Sequence, residues 1–266
     1  MEVINICANV GFYVTTLIKS SCCYILLLLS HNVYSASLEE CIKFHVMHSE
    51  PIGYINDQGK PTGIHWEYLE ALSEHSGLCI NAQLMPYARI WKSIEYGNHD
   101  GGIIFKSESR DPLVQYAEHI QTTPTVVIAL KGITLKKYSD LSNLHIGTMK
   151  GAHLSQRFDN DKSLNLLKLI SFDQGTRMIN LRRLDAVAGN AFLLAYQLQK
   201  FGVLDKVDLN NQLKLGEKEQ WLQMSNKSQH LKHLPALKKS VEALKKSGVF
   251  RKIFVKYYGP HILEQK

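Results

Sequence analysis

The chain has 266 residues, 45 % of them hydrophobic and 21 % charged, with a formal net charge of +7. That length exceeds one small core and fits one large domain or two lobes, and the balance of apolar to charged residues excludes a disordered chain. The positive excess is spread along the sequence with a local surplus only near the C-terminus, so composition by itself admits both a nucleic-acid binder and an exported protein.

At the N-terminus Lys19 precedes SSCCYILLLLS, an apolar run from Cys22 to Leu29, followed by HNVYSAS with small residues Ser35, Ala36 and Ser37. A positive residue, a short apolar run and a small-residue cleavage site describe a secretory signal peptide over residues 1–36, cut after Ser35 or Ala36. The run is too short for a permanent membrane span; an uncleaved anchor is the alternative. The residues before Lys19 are unusual for a signal and fit an upstream start codon. None of Cys22, Cys23 and Cys41 follows a lipobox, which argues against a lipoprotein. Removal of the signal takes Cys7, Cys22 and Cys23 with it and leaves Cys41 and Cys79. In an exported protein two cysteines permit a disulfide.

CIKFHVMH reads as a strand, GYINDQGKPTG as a hairpin-like turn region, and IHWEYLEALSEHSG as a helix ending at Gly77. CINAQLMP is a second strand, ARIWKSIEYG a helix ending at Gly97, and GGIIF a third strand. This β-α-β-α-β order predicts a parallel sheet with helical crossovers. Cys41 and Cys79 each open one of the first two strands, so neighbouring parallel strands would bring them together, and a Cys41–Cys79 disulfide is expected. The order then recurs: LHIGTMKG as strand, AHLSQRF as helix, NLLKLISF as strand, QGTRMINLRR as helix, DAVAGN as strand. Ile94 precedes Asp100 and GGIIF by the spacing at which Ile179 precedes Asp185 and AVAGN, which points to two similar α/β lobes. TTPTVVIAL and EQWLQMS are the extended segments expected to join them. The C-terminal stretch predicts two amphipathic helices with Leu237, Val241, Leu244, Phe250, Ile253, Phe254 and Tyr257 on the apolar face.

Several segments in this order resemble the family 3 extracellular solute-binding proteins, the polar-amino-acid type of periplasmic binding protein: PIGYINDQGKPTGIHWEYLEALSEHSG, GNHDGGI, ESR before YAEHIQTTP, YSDLSNLHIGTMKGAHL, RLDAVAGN and LKKSGVFRKIFVKYYG. The resemblance covers residues 42–259. It implies a type II periplasmic-binding fold, two α/β lobes joined by a two-stranded hinge, closing on a ligand. Lobe one would comprise residues 37–122 and 225–266, and lobe two residues 123–224. By the same resemblance Arg110 grips a ligand carboxylate, as a planar guanidinium can with two parallel hydrogen bonds. Tyr87 and Arg89, in MPYAR, and Glu50 and Tyr54, around PIGY, are the other lobe-one ligand candidates. In lobe two, Gly151, Ala152 and His153 would present backbone N–H groups at a helix N-terminus, where an anion is attracted, and Asn190 takes the place of an aspartate that pairs with a ligand ammonium.

Three departures bear on the ligand. Ile103 and Phe105 stand where amino-acid binders carry hydroxyls, Ala152 and His153 stand where they carry Thr, and the amide of Asn190 cannot neutralise an ammonium. A carboxylate or other anion without a required ammonium fits better. Rival chemistries have thin support. His45 and His48 have opposite parity on a strand, and neither they nor His230 and His233 belong to a His-Glu-x-x-His or Cys-x-x-Cys pattern. There is no Gly-x-Ser-x-Gly. Lys238, Lys239, Lys245, Lys246, Arg251, Lys252 and Lys256 fall between core positions of amphipathic helices and read as a solvated face, not a nucleic-acid surface. The expectation is a monomeric periplasmic solute-binding protein, without cofactor or enzymatic activity, that hands a small polar, anionic or amino-acid-like ligand to an ABC permease or a membrane sensor. The alternative is the same fold without a transport role, as a sensor input or a dehydratase-like enzyme.

Overall fold

The computed structural model describes residues 40–259; the expected signal peptide lies outside them. The architecture of residues 41–259 follows. Its first half runs β1 (Ile42–Met47), a short hairpin of β2 (Tyr54–Ile55) and β3 (Pro61–Thr62), α1 (Ile64–Ser76), β4 (Ile80–Met85), α2 (Tyr87–Tyr96) and β5 (Gly101–Phe105). Two long strands, β6 (Val114–Ala129) and β10 (Leu213–Ser225), bracket β7 (His145–Met149), α3 (Gln156–Asn160), β8 (Asn165–Leu169), α4 (Phe172–Asn180), β9 (Ala186–Asn190) and α5 (Ala191–Lys200). The C-terminal pair is α6 (Leu234–Lys246) and α7 (Val249–Tyr258).

The main sheet has the order β4-β1-β5-β10-β6-β9-β7-β8. β4, β1 and β5 are parallel, as are β8, β7 and β9, while β10 and β6 run antiparallel to each other at the centre. This is the type II periplasmic-binding fold: two parallel α/β lobes joined by a two-stranded hinge. β1 is buried on both faces, with Phe44 and Val46 fully covered, as an interior parallel strand must be. Its core takes in Leu69 and Leu72 of α1 and Leu237, Val241, Phe250 and Phe254 of the C-terminal helices. Tyr258 joins that face as well; Tyr257, half-buried, packs against the same core and turns its hydroxyl to Gly63 N and Thr62. The far lobe packs its sheet between two clusters, one around Ile128, Ile179 and Leu198 and one around Leu141, Ile146 and Phe158.

The repeat read from the sequence has a structural cause. Asp100 accepts a hydrogen bond from Lys43 N at 2.7 Å, and its own N–H donates to Lys43 O at 2.8 Å. Asp185 does the same to His145, at 2.8 and 2.9 Å. In each lobe a turn aspartate thus ties the start of the third strand to the start of its parallel neighbour. The glycines after Asp100 serve close packing: a Cβ on Gly101 would lie 2.0 Å from Gln223 O, and one on Gly102 2.7 Å from His45 O. Cys41 and Cys79 form a disulfide with Cα atoms 4.7 Å apart, at the N-terminal ends of β1 and β4, where Ile42 pairs with Ile80.

Two local expectations are corrected. AHLSQRF does not start a helix at Gly151: the helix begins at Gln156, capped by the Ser155 hydroxyl, which accepts from Phe158 N at 3.3 Å. Ser at an N-cap outcompetes the preceding residues for that role, so Gly151, Ala152 and His153 lie in a loop. DAVAGN is followed directly by α5, a helix absent from the expected elements; Asn190 caps it by accepting from Leu193 N at 3.1 Å.

Candidate functional site

The loop after β1 and the N-terminus of α1 are built as one piece. Ile64 N donates to Pro51 O at 2.8 Å and His65 N to Ile52 O at 2.9 Å, which satisfies first-turn N–H groups that a helix cannot pair internally. The approach requires Gly63, whose φ is +123° and whose Cβ, if present, would meet Ile52 O at 2.6 Å. This arrangement fixes His65 in the interior, 4 % exposed.

His65 lines a cavity of about 80 Å³ between the lobes. One wall comes from the near lobe: Met47, Ile52, Tyr87, Ile90 and the strand Ile103, Ile104 and Phe105. The facing wall comes from the far lobe: Met149, Ala152, His153, Leu154, Phe172, and Asn190, Phe192 and Leu193 at the junction of β9 and α5. Gln121 and Gln220, which pair across the two hinge strands, line it with Thr125, and Gln121 Nε2 donates to Gln220 Oε1 at 2.7 Å. Thr125 Oγ1 is spent on Leu154 O at 3.1 Å. Apolar surface dominates, and among the described residues no Asp or Glu lines the cavity.

The structure brings four of the expected residues, Tyr87, Ala152, His153 and Asn190, to this cavity. Arg110 stands behind them. It lies in the 3-10 turn Glu108–Leu113 after β5, with its guanidinium 4.6 Å from the Trp91 ring centre and near enough to Tyr87 for its charge to act on that hydroxyl. Burial raises the Tyr87 hydroxyl, the Arg110 charge opposes that, and Asp159 across the cleft reinforces it. Asp159 in turn accepts from Leu154 N at 3.1 Å and lies 3.7 Å from His153 Nδ1.

Arg89 is exposed on α2 and Gly151 is exposed in its loop; neither lines the cavity. Glu50 contacts the far lobe instead: its carboxylate takes the Tyr196 hydroxyl and the Lys200 ammonium, and its backbone carbonyl takes Gln197 Nε2. Tyr54 sits next to this group, its hydroxyl raised by burial and then by Glu50. Beside the Glu50 contacts, Phe192 of α5 packs on Phe254 and Tyr258 with ring centres 5.4 and 5.9 Å apart. The lobes are therefore closed against each other through aromatic rings and one ion pair.

His65, Gln121, Gln220 and Phe172 were not anticipated. The signal for His65 was weak: a histidine two positions past Gly63, inside an amphipathic pattern. Burial lowers its pKa to about 4, with nearby Gln220 opposing, so the ring is neutral at physiological pH. Its Nε2 is buried without a partner.

The profile of bacterial extracellular solute-binding proteins, family 3, matches residues 42–260. The chain belongs to that family. Among family relatives, it is 23 % identical over 250 residues to the probable amino-acid-binding protein YxeM of Bacillus subtilis (strain 168), covering 88 % of this chain and 91 % of that one. Its fold superposes on an ancestral arginine-binding protein bound to arginine, with a TM-score of 0.68, 19 % identity and coverage of 82 % of this chain and 99 % of that one. It also superposes on a histidine kinase sensor domain with similarity to periplasmic binding proteins, with a TM-score of 0.67, 16 % identity and coverage of 82 % and 97 %. At these identities the solved structures speak to the fold. Family and disulfide together fit an extracellular compartment.

Proposed function

We propose that this solute-binding protein is exported to the periplasm, closes on a small anionic ligand between lobes bounded near residues 122 and 225, and delivers it to a membrane transporter. The observation that carries the reading is the cavity lined by residues of both lobes, with the Arg110 charge beside Tyr87 at its wall. When the lobes part, the guanidinium and the Tyr87 hydroxyl form one anion-binding edge; the stacking on Trp91 orients the guanidinium plane and shields it from water. Ala152, His153 and Asn190 close over the ligand from the far side, and ligand binding favours the closed arrangement by its differential contacts with both lobes. A thermal-shift screen of amino acids, carboxylates, sugars and polyamines tests the reading. At least one carboxylate should raise the unfolding temperature of the wild type, and Arg110→Ala should remove that shift. An unchanged shift in the variant would take Arg110 out of the site, and a screen without any stabilising solute would sink the function.

The likeness to a sensor domain supports a second destination for the closed form, a membrane sensor. A permease that accepts ligand from the purified protein in proteoliposomes separates transport from sensing.

A further inference from the structure

The geometry points to a second working surface, away from the cleft: the exposed face of the C-terminal helices α6 and α7 docks on an anionic phospholipid bilayer. The chain's positive charge is concentrated there. Residues 234–258 hold seven lysines and arginines and one acid, Glu242. That is a net +6 of the chain's formal +7, so the remaining residues come close to neutrality.

The fold decides which of these charges are free. Lys238 pairs with Glu242 at 3.9 Å, Lys256 pairs with Glu67 at 2.7 Å, and Lys245 donates to His119 O at 2.6 Å. Lys239, Lys246, Arg251 and Lys252 are exposed, and among the described residues no carboxylate pairs with them. Lys239 and Lys246, two turns apart on α6, project from the same side of that helix. Lys246 ends α6, Arg251 and Lys252 fall in the first turn of α7, and only Ser247 and Gly248 lie between the two helices. Helix stability does not account for this placement. A cation in a first turn opposes the helix dipole, and α7 carries no acidic residue there.

The same helices define the partner. Leu237, Val241, Leu244, Phe250 and Phe254 commit the apolar faces of both to the core. No apolar face is left to insert among lipid chains, so contact is made through charge alone. Lysine ammonium groups on flexible stems are point charges that suit many interchangeable headgroups better than one fixed phosphate. Nucleic acid offers the same phosphate chemistry, but the family is extracellular, and the polyanion that an extracellular protein meets beside a membrane partner is the bilayer. Docking there concentrates the protein in the plane of its proposed partner. Tyr258, at the other end of α7, lines the cleft, about 10 Å from Arg251 along the axis. Lipid contact and solute binding therefore use different parts of the helix.

The test is co-sedimentation of the full mature protein with vesicles of phosphatidylcholine alone and with about 30 mol % phosphatidylglycerol, at about 0.05 M and about 0.5 M salt. A lysine or arginine at an anionic bilayer contributes roughly fivefold in affinity. The wild type should bind anionic vesicles at least about tenfold better than neutral ones at low salt and lose that preference at high salt. Lys239→Gln/Lys246→Gln/Arg251→Gln/Lys252→Gln should lose at least about tenfold. Lys131→Gln/Lys136→Gln/Lys162→Gln/Lys168→Gln removes as many exposed charges from the far lobe and should bind within about threefold of the wild type. A helix variant that binds as the wild type does, a far-lobe variant that loses as much, or a wild type without preference for anionic vesicles would overturn the proposal. So would binding to a short DNA duplex with none to vesicles. Should the helix variant fail to fold, Lys239→Gln/Lys246→Gln and Arg251→Gln/Lys252→Gln are compared separately, and a loss under about threefold in both overturns it. The thermal-shift screen reads solute binding without lipid, so a protein that binds solute but not vesicles fails this proposal alone.

Discussion

Replacing the disulfide offers the sharpest quantitative test of the fold. Cys41 and Cys79 are 38 positions apart, and the bond closes a loop containing β1, the hairpin and α1. In the chain-entropy treatment a loop of that length constrains the unfolded ensemble by about 4 kcal/mol. For a chain of this size each kcal/mol corresponds to roughly 2–4 °C in Tm, so Cys41→Ser/Cys79→Ser should unfold roughly 8–16 °C below the wild type. Urea denaturation and calorimetry of the double variant, and of wild type with and without reductant, measure this. Ligand affinity should stay within about threefold, because the bond sits at the amino ends of β1 and β4 and the cleft lies past their carboxyl ends, roughly 20 Å away along strands of six residues at 3.3 Å each. A stability loss under about 1 kcal/mol, or a wild type indifferent to reductant, would refute the reasoning; a large loss of affinity would show that the two ends of the strands are coupled.

Other consequences are testable with the same protein. His45, held near pKa 3 by burial and then by the adjacent His99, and His65, held near 4 by burial, stay neutral when folded but gain protons from about pH 6.5 downward when unfolded. The unfolded state therefore binds more protons, and stability should fall as pH drops from about 6.5 toward 4, by up to about 1.4 kcal/mol per pH unit for each ring; a urea midpoint that is flat from pH 7.5 to 4.5 would contradict this. Glu50→Ala removes the carboxylate shared by Tyr196 and Lys200, so the ligand-free protein should show a larger radius of gyration in X-ray scattering. The ligand should bind no more than about fivefold weaker, since a partly exposed ion pair contributes about 1 kcal/mol or less; an unchanged scattering profile would exclude Glu50 as a closure contact. Asp100→Ala deprives Lys43 N and the Ser228 hydroxyl of their acceptor and should cost about 1–3 kcal/mol in chemical denaturation, a cost that a solvent-exposed turn residue would not show.

The periodicities of IHWEYLEALSEHSG and QGTRMINLRR, the turn aspartates before GGIIF and AVAGN, and the placement of two cysteines at strand starts were enough to read the lobes, the repeat and the disulfide. These are local features: amphipathic spacing, turn chemistry and strand order follow from neighbours in the chain. The cleft was only partly legible. Tyr87, Ala152, His153 and Asn190 reach it, and the apolar Ile103 and Phe105 line it. Glu50, read as a ligand contact, turned out to meet Tyr196 and Lys200 some 150 residues away, a pairing no local pattern contains. His65 looked like one more residue on a helix until the Pro51 and Ile52 carbonyls tied α1 down and Gln220 arrived from the hinge. Which strands and helices form is set by the chain's own spacing, but whether a buried nitrogen has a partner depends on every segment that packs around it, and that is settled only when the lobes come together.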